Sequence, residues 1–220
     1  MVQNAHRERR PRGRPPVRSD AETRKLIVEA AAEAFQTTGF SGTSIGAVAQ
    51  AAGVSTRTLY RLIPTKDVLF AEVISDHIGQ FTRAIDEQML DKLDLDAALE
   101  QVLIAYGHLT LGRPAVSLNQ LVIAERARFP DLARIFFTDA IERAGGALES
   151  WLRHQDERGA LIVEDPPLIS GMLRGMMVFE PQRAAMLGQR GYPADEEIRQ
   201  RARACARAFL DGCRKRGGRA

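Results

Sequence analysis

The spacing of small and apolar residues around Gly53 constrains the fold of this chain more than any other feature. Val48 and Ala49 precede Gly53 by five and four residues, and Leu59 and Leu62 follow it by six and nine. An alanine lets two helices cross closely, and a glycine adopts the left-handed turn that other residues resist. This spacing is the register of a helix-turn-helix, whose apolar positions form a small core that fixes the crossing angle.

The second helix of this motif, within residues 53–62, has an outer face without an acidic residue. When its apolar residues point inward, hydroxyls, a phenol and two guanidiniums point outward. Those groups bond phosphates and base edges, and the major groove of DNA admits one helix of this width. We therefore predict that this face lies in DNA; an ordinary helical hairpin with a solvated face is the alternative. The outward residues are Ser55, Thr56, Arg57, Thr58, Tyr60 and Arg61.

Charge is divided unevenly along the chain. Residues 1–66 carry 11 Lys and Arg against 5 Asp and Glu, residues 67–198 carry 12 against 22, and residues 199–220 carry 8 against 1. A basic N-terminal third followed by the acidic residues 67–198 indicates that the N-terminal part binds a polyanion and that the acidic part does not. Charge alone does not decide the matter, because a solvated basic face gives the same pattern.

The first 18 residues are rich in Arg and Pro and cannot bury enough surface to fold alone. We expect a disordered basic arm there. Its "PRGRPP" run, residues 11–16, places Arg12 and Arg14 beside Gly13. Two interpretations remain open: the arginines enter an A·T-rich minor groove, or the arm is attracted to DNA by charge only.

Helix-forming residues dominate the rest of the chain, and runs of Val, Ile and Thr typical of strands are absent. The expected fold is therefore all-α, with about nine helices. Ser19 and Glu22 have capping-box spacing at the start of the first helix. Gly39 suits the end of that helix, and Thr43 is expected to cap a second helix that runs to about residue 52. Thr65, after Pro64, can cap the fourth helix. Later helices, bounded by prolines, are expected over residues 66–88, 95–111, 115–127, 131–158, 166–179 and 195–214.

The motif region resembles a known family. The stretch "GTSIGAVAQAAGVSTRTLYRLIPTKDVLFAEV", residues 42–73, is similar to the N-terminal region of the tetracycline-repressor (TetR/AcrR) family of bacterial transcription regulators. The stretches "LVIAERARFPDLARIFF" and "ERGALIVEDPP" resemble the regulatory half of its AefR-like branch. The resemblance implies an arm at residues 1–18, a three-helix DNA-binding domain at 19–66, and a helical domain for ligand binding and dimerisation at 67–220.

The resemblance also implies which residues contact DNA. Residues 56–58 would face base edges, Tyr60 would bond a phosphate through its phenol, and Lys66 would bind another phosphate with help from the helix dipole. Many members carry an aromatic residue or His at the place of Leu62 and Phe at the place of Ile63, so Leu62 is given no DNA role. Outside the arm, the expected contacts are Thr43, Ser44, Ser55, Thr56, Arg57, Thr58, Tyr60, Arg61 and Lys66.

The last two helices are apolar enough to pack against a second copy of the chain. In the family these helices form a four-helix dimer interface, and the resemblance favours that arrangement over an intramolecular core. Two copies would place two third helices in successive major grooves of a partly palindromic operator. The expected interface residues are Leu168, Met172, Ile198, Ala202, Cys205 and Phe209.

The middle helices are expected to enclose a pocket for a small-molecule effector. Tyr106 and Trp151 offer polar tips in an apolar setting. Each candidate also fits a plain core position. The candidates are Phe81, Ile85, Tyr106, Leu109, Val122, Phe137, Trp151 and Met176.

These features predict a homodimeric DNA-binding transcription regulator, a repressor that a ligand releases, and not an enzyme. No His or Cys shows metal-type spacing, and no cofactor, metal site or catalytic residue is expected. Two alternatives remain open: an architectural DNA-binding protein without a ligand, and a DNA-processing enzyme that carries a helix-turn-helix and would nick supercoiled plasmid.

A cytoplasmic protein without a membrane partner is expected. The longest apolar run is far below the ~20 residues that span a bilayer, and no apolar block follows the basic N-terminus as in a secretory signal. Cys205 and Cys213 would lie ~12 Å apart on one helix. A disulfide requires Cα atoms within ~7 Å, so both are expected to be free thiols.

Overall fold

The computed structural model describes residues 18–85 and 90–213, apart from the side chain of residue 213. Within these residues the chain consists of helices joined by short turns, which confirms the predicted all-α class. The elements are α1 (Asp20–Gly42), α2 (Ile45–Ala51), α3 (Thr56–Leu62), α4 (Lys66–Ala84), α5 (Leu95–Leu111), α6 (Arg113–Glu125), α7 (Pro130–Phe136), a π-helical segment (Phe137–Glu142), α8 (Arg143–Glu157), α9 (Pro166–Met186) and α10 (Asp195–Cys213).

α1 begins with both hydrogen bonds of the predicted capping box. The Ser19 hydroxyl accepts from the Glu22 N–H at 3.1 Å, and the Glu22 carboxylate accepts from the Ser19 N–H at 2.8 Å. The straight part of α1 ends at Gly39, whose φ of 73° lies in the left-handed region. One further turn places the Phe40 ring against Phe70 of α4, with ring centroids 5.8 Å apart. The end of α1 is thereby packed onto α4.

The connection between α2 and α3 has the geometry that its sequence predicts. Gly53 has a φ of 66°, in the left-handed region. Val48 and Ala49 of α2 and Leu59 of α3 are buried, and Ile63 closes the same small core. The two helices are therefore held at a fixed crossing on α1.

Ser44, not Thr43, caps α2, so the prediction for Thr43 is wrong. The Ser44 hydroxyl accepts from the Ala47 N–H at 3.1 Å. Thr43 is only 5% exposed, and its hydroxyl donates to the Gly39 carbonyl at 2.7 Å. The bend at Gly39 turns Thr43 inward, and the next residue becomes the N-cap.

α4 connects the three N-terminal helices to the rest of the molecule. The Thr65 hydroxyl accepts from the Val68 N–H at 3.1 Å and caps the helix as predicted. Phe70 and Ile74 are buried where α4 packs against α1 and the C-terminal helices. The helix ends at Ala84, before the predicted residue 88, and residues 86–89 lie outside the described part of the chain.

Two prolines shift helix limits from their predicted places. Pro114 lies in the first turn of α6, where a missing N–H leaves no helical hydrogen bond unmade, so α6 begins at Arg113. Pro181 lies inside α9, so the predicted end near residue 179 is wrong and the helix continues to Met186. Pro181 and Ala185 are both buried, and their packing compensates for the hydrogen bond that Pro181 cannot make.

α7 continues through the π-helical segment into α8, so one irregular helix occupies the range predicted as 131–158. A π turn accommodates an extra residue by bonding five residues along the chain instead of four. Leu132 and Phe136 of α7 and Leu148 of α8 are all buried. The two regular parts therefore both face the interior.

α5 lies at the centre of the C-terminal bundle, packed by α4, α9 and α10. A Cβ added at Gly107 would lie 2.6 Å from Ile198 Cγ2 and 2.7 Å from Met177 Cε. A side chain at this position would therefore force Ile198 or Met177 to shift where α5, α9 and α10 meet. Of the helices described, none combines the length and the apolar character that crossing a membrane requires.

Candidate nucleic-acid interface and ligand cavity

One side of α3 is polar and exposed to solvent, and the opposite side is buried. Leu59 and Ile63 are fully buried and hold the helix on the N-terminal core. The Ser55 hydroxyl accepts from the Thr58 N–H at 3.0 Å and lies 2.9 Å from the Thr58 hydroxyl. Ser55 and the half-buried Thr58 therefore stabilise the start of α3 with groups that were predicted to contact DNA.

Arg57 and Tyr60 are the groups of α3 most available to a partner. Both side chains are exposed, Tyr60 by 52%. Neither has a hydrogen-bond or ion-pair partner in the part of the chain that the structure describes. Thr56 beside them is exposed as well. One side of α3 thus presents a guanidinium, a phenol and a hydroxyl together.

Arg61 differs from Arg57, because a carboxylate binds it. Its guanidinium donates to both oxygens of Asp20, at 2.7 and 2.8 Å. The hydrogen bond from Arg61 lowers the pKa of Asp20, so that carboxyl group remains charged. The Arg61 side chain remains 56% exposed, so its DNA contact stays a prediction. Such a contact would have to compete with Asp20, which lies 41 residues away in the sequence.

The two residues before α2 have different surroundings. Ser44 is exposed, whereas Thr43 is buried, so the predicted DNA contact at Thr43 is corrected. A buried hydroxyl bonded to the Gly39 carbonyl cannot reach a phosphate or a base. Arg12 and Arg14 of the arm lie outside the described residues.

Lys66 lies against an aromatic ring at the junction of three helices. Its Nζ is 4.6 Å from the centroid of Phe40 and 3.5 Å from the carbonyl oxygen of Ser41. Desolvation lowers the pKa of Lys66, and the nearby Glu125 carboxylate acts in the opposite direction. Glu125 also accepts from the Ser41 hydroxyl at 2.9 Å. The start of α4 and the end of α6 therefore meet at the turn that precedes α2.

An apolar cavity of about 170 Å³ lies between α4, α5, α6, α9 and the π-helical segment, and we call it the inner cavity. Aliphatic side chains such as Ile74, Ile78 and Leu118 form most of its lining. No Asp, Glu, Lys or Arg of the described chain lines it. Its polar lining residues are His77, Tyr106, Thr110, Asn119 and Gln182.

These polar side chains are held by the backbone around the cavity. The His77 Nε2–H donates to the Leu109 carbonyl at 2.9 Å, and the Gln182 amide donates to the Thr110 carbonyl at 2.9 Å. Burial raises the pKa of Tyr106, so its phenol stays protonated. Tyr106 and Leu109 were predicted from the sequence as pocket residues. The polar lining residues His77, Thr110, Asn119 and Gln182 were not, because each is a single polar residue with no local pattern around it.

Most of the predicted pocket residues are not part of the inner cavity. Phe81, Ile85, Val122 and Trp151 are buried without lining it, and Phe137 and Met176 are partly exposed at the surface. Helical spacing identifies the side chains that face the interior. Protein interiors are close-packed, so most interior positions have no space beside them.

α9 and α10 differ in how their predicted interface residues are placed. Ile198, Ala202, Cys205 and Phe209 of α10 are buried within the protomer, because this face packs against α5, and the prediction for them is corrected. On α9 the predicted residues are exposed and continue into an apolar row, which we call the α9 strip. It consists of Leu168, Met172, Met176 and Phe179, exposed by 53%, 55%, 41% and 63%.

Cys205 is a buried free thiol, as predicted, and burial raises its pKa. The side chain of Cys213 is outside the described residues. In the described ranges no three His, Cys, Asp or Glu side chains come together as a set that could hold a metal ion.

Two family descriptions match this chain. Residues 27–73 match bacterial regulatory proteins of the tetR family, and residues 97–212 match the C-terminal domain of AefR-like transcriptional repressors. The second match alone covers more than half of the 220 residues.

Solved structures share the fold over nearly the whole chain. A TetR-family transcriptional regulator of Mesorhizobium loti MAFF303099 is 27% identical, with a TM-score of 0.78, and the match covers 90% of this chain and 100% of that one. The flavonoid-responsive regulator FrrA is 29% identical, with a TM-score of 0.70 and the same coverage. An uncharacterised HTH-type transcriptional regulator of Bacillus subtilis, YhgD, is 30% identical over 84 residues, which span 38% of this chain and less than half, 44%, of that relative.

Proposed function

The chain belongs to the tetR family of bacterial regulatory proteins and is a DNA-binding transcription regulator, and we propose that it acts as a homodimeric repressor that a small molecule releases from its operator. In this proposal residues 1–18 are a basic arm, residues 19–66 are the DNA-binding domain, and residues 67–220 are the regulatory domain. α4 begins at the boundary between the two domains, so it is the direct connection from effector to DNA.

The exposed side of α3 formed by Thr56, Arg57 and Tyr60 is the observation that carries the proposal. Arg57 and Thr56 offer donors that suit base edges, and Tyr60 offers a phenol that suits a phosphate. All three are exposed on a helix whose opposite side is buried, so they would enter a groove as a rigid set. Ser44 lies at the surface near the start of α2, where a second phosphate contact is expected.

The α9 strip supports the dimer. Four large apolar side chains exposed along one helix favour burial against another protein surface. A second copy satisfies this requirement through a two-fold axis, in which the strip packs on the same strip of its partner. Two α3 helices would then face the same DNA duplex in successive turns of the major groove.

The inner cavity supports a small, mainly apolar effector. An engineered cavity of ~150 Å³ holds benzene, so a cavity of about 170 Å³ accepts one ring. The name of the relative FrrA describes it as responsive to flavonoids, which are aromatic, and this favours an aromatic group here as well. We propose that the buried part of the effector is an uncharged ring.

The effector releases the protein from DNA if it binds better to a conformation in which the spacing of the two α3 helices does not match the spacing of the two operator half-sites. α4 contributes Ile74, His77 and Ile78 to the inner cavity, and its first residue, Lys66, contacts the turn before α2. A ligand that moves α4 therefore moves the DNA-binding helices. A tenfold difference in affinity between the two conformations corresponds to ~1.4 kcal/mol of coupling, and DNA must weaken effector binding by the same factor.

Selection of binding sites from random DNA tests the proposal and requires no operator sequence at the start. Duplexes with a random central segment are bound to the full-length protein, and the retained sequences are aligned and footprinted. We expect a partly palindromic motif whose half-sites are separated by about one helical turn of DNA, ~34–36 Å. Enrichment of no motif would contradict a sequence-reading repressor and would favour an architectural DNA-binding protein.

A further inference from the structure

A second cavity of about 200 Å³ lies beside the inner cavity, between α1, α4 and α6, and we call it the outer crevice. Val28 and Phe35 of α1 and Leu121 of α6 contribute to its apolar lining. α1 belongs to the DNA-binding helices, whereas α6 belongs to the C-terminal bundle. A molecule bound in the outer crevice would therefore touch both parts of the regulator.

His77 and Leu118 separate the two spaces, because both residues line the inner cavity and the outer crevice. His77 is half-buried, and its ring is held by a hydrogen bond to the Leu109 carbonyl. Side chains change rotamer far faster than helices move. A ligand that is too long for the inner cavity can therefore extend between His77 and Leu118 into the outer crevice.

The two spaces differ in charge. Among the described residues, no charged side chain lines the inner cavity, whereas Glu29 and Asp76 line the outer crevice and no Lys or Arg does. Glu29 has only a loose contact with Lys25, at 3.9 Å, and Asp76 accepts a long hydrogen bond from the Gln80 amide, at 3.4 Å. The other polar residues of the crevice lining are Gln36, His77, Gln80 and Ser117. Asp76 also borders an adjoining groove that Arg24, Lys25 and Arg83 line. Within the crevice itself the two carboxylates favour a cation.

We propose that the outer crevice is the second half of the effector site and that it binds the cationic end of an elongated amphiphilic amine. The apolar end of the amine occupies the inner cavity, its middle passes between His77 and Leu118, and its ammonium group lies beside Asp76 and Glu29. The inference rests on the proposed function in one respect, that the inner cavity holds the apolar part of the effector.

Three probes with the same ring and the same four-carbon chain test the charge preference. Calorimetric titration of the full-length protein compares 4-phenylbutylamine, 4-phenylbutan-1-ol and 4-phenylbutanoate, which differ only at the end group. We expect the amine to bind most tightly and the carboxylate least. Titration of benzene into the Ser117→Phe variant, whose outer crevice is filled, measures the inner cavity by itself.

Variants of the lining locate the ammonium group. Asp76→Asn and Glu29→Gln should each weaken binding of the amine about two- to fivefold, the range of exposed ion pairs, and leave benzene binding unchanged. Glu33→Gln is the matched control, since Glu33 is an exposed carboxylate of α1 that does not line the crevice. Ser117→Phe, which fills the outer crevice only, should abolish the advantage of the amine and keep benzene binding.

The outcomes separate this inference from the proposed function. Equal affinities for the amine and the alcohol, unchanged in Asp76→Asn and Glu29→Gln, would overturn the cationic site. Binding of benzene without binding of the amine would contradict only the proposed role of the outer crevice in binding the effector. Failure of benzene and of all three longer probes to bind would overturn the effector role of the inner cavity as well.

Discussion

Arg57 and Arg61 lie one helical turn apart on α3, yet of the two only Arg57 is unpaired within the described chain. The difference comes from Asp20 at the start of α1, which binds both arms of the Arg61 guanidinium. The face that lacks acids in the sequence therefore has one acid beside it in space. Arg57 is left as the guanidinium of α3 most able to enter a groove.

We expect Arg57→Ala to weaken binding to a selected operator by ~1–3 kcal/mol, because a guanidinium bonded to a guanine edge contributes about that much discrimination. Binding to a scrambled duplex of equal length should change much less. The measurement is a gel-shift titration on both duplexes at one salt concentration. Arg113→Ala, which removes an arginine at the start of α6, far along the chain from α3, is the control and should leave both affinities unchanged.

We expect Asp20→Asn to strengthen non-specific DNA binding, because it releases Arg61 to contact a phosphate. Each added phosphate contact steepens the dependence of log affinity on log salt by ~0.9. Fluorescence anisotropy with a scrambled duplex over a salt series measures that slope. Arg61→Ala should keep the slope of the unmodified protein, and an equal slope in all three proteins would show that Arg61 does not gain a phosphate contact.

The ion pair between Asp20 and Arg61 makes the stability of the protein depend on pH in the acid range. A carboxyl group whose pKa is lowered by folding stabilises the protein above its unfolded value of 3.8 and loses that effect as the pH falls through the lower folded value. The melting temperature of Asp20→Asn should therefore lie below that of the unmodified protein near neutral pH, and the gap should close at the acid end. A gap that is constant with pH would mean that ionisation of Asp20 is not its cause.

The N-termini of the helices show where local sequence is sufficient to predict the N-cap residue and where it is not. Ser19 and Thr65 cap α1 and α4 as predicted, because each is followed at once by a helical pattern. Thr43 and Ser44 can both serve as an N-cap residue, with Ser somewhat preferred, and the bend at Gly39 turns Thr43 inward. That bend is a tertiary feature, so local sequence does not decide between the two residues.

The apolar face of α10 also shows how far local sequence can predict the packing of a helix. Its periodicity correctly predicts that Ile198 and Phe209 are buried, but an amphipathic pattern does not say against what surface. The structure places that face on α5. Gly107 of α5 is what permits so close an approach, and its role cannot be read from its neighbours in the chain.

We expect Gly107→Ala to destabilise the protein by ~1–3 kcal/mol, the usual cost of overpacking, because its Cβ would lie within 2.7 Å of two side-chain carbons. Gly146→Ala is the matched control in α8, where nothing lies within 4 Å of the added Cβ. The control should gain ~0.5–1 kcal/mol from better helix propensity. Urea denaturation of both variants measures the free energies of unfolding, and equal changes would contradict the close contact.

The arrangement of the whole chain brings together what sequence patterns leave apart. The inner cavity takes most of its lining from α4, α5, α6, α9 and the π-helical segment, with one residue each from α7 and α8. No stretch of sequence therefore contains more than a few of its residues. His77 and Gln182 lie 105 positions apart and line one space. The family resemblance predicted that a pocket exists, but only the packed bundle shows which side chains border it.

The α9 strip determines the expected assembly. Met172→Glu would place a charge in the middle of the strip, so we expect the variant to be monomeric and to bind an operator far more weakly than the unmodified protein, because two half-sites would no longer be bound together. Sedimentation velocity and gel shifts measure these two effects. Ile123→Glu is the control, since Ile123 is 50% exposed on α6, outside the strip. A dimeric Met172→Glu variant would show that the copies meet elsewhere.

The π-helical turn at Phe137–Glu142 takes up one residue more than an α-helical turn of the same rotation. Because the surplus is absorbed inside the turn, Leu148, Trp151 and Leu152 still face the hydrophobic interior. Deleting one residue within the turn is therefore expected to give an ordinary helix with these three side chains still directed inward. The same deletion just after Arg143, in the regular helix, would rotate them by about 100°.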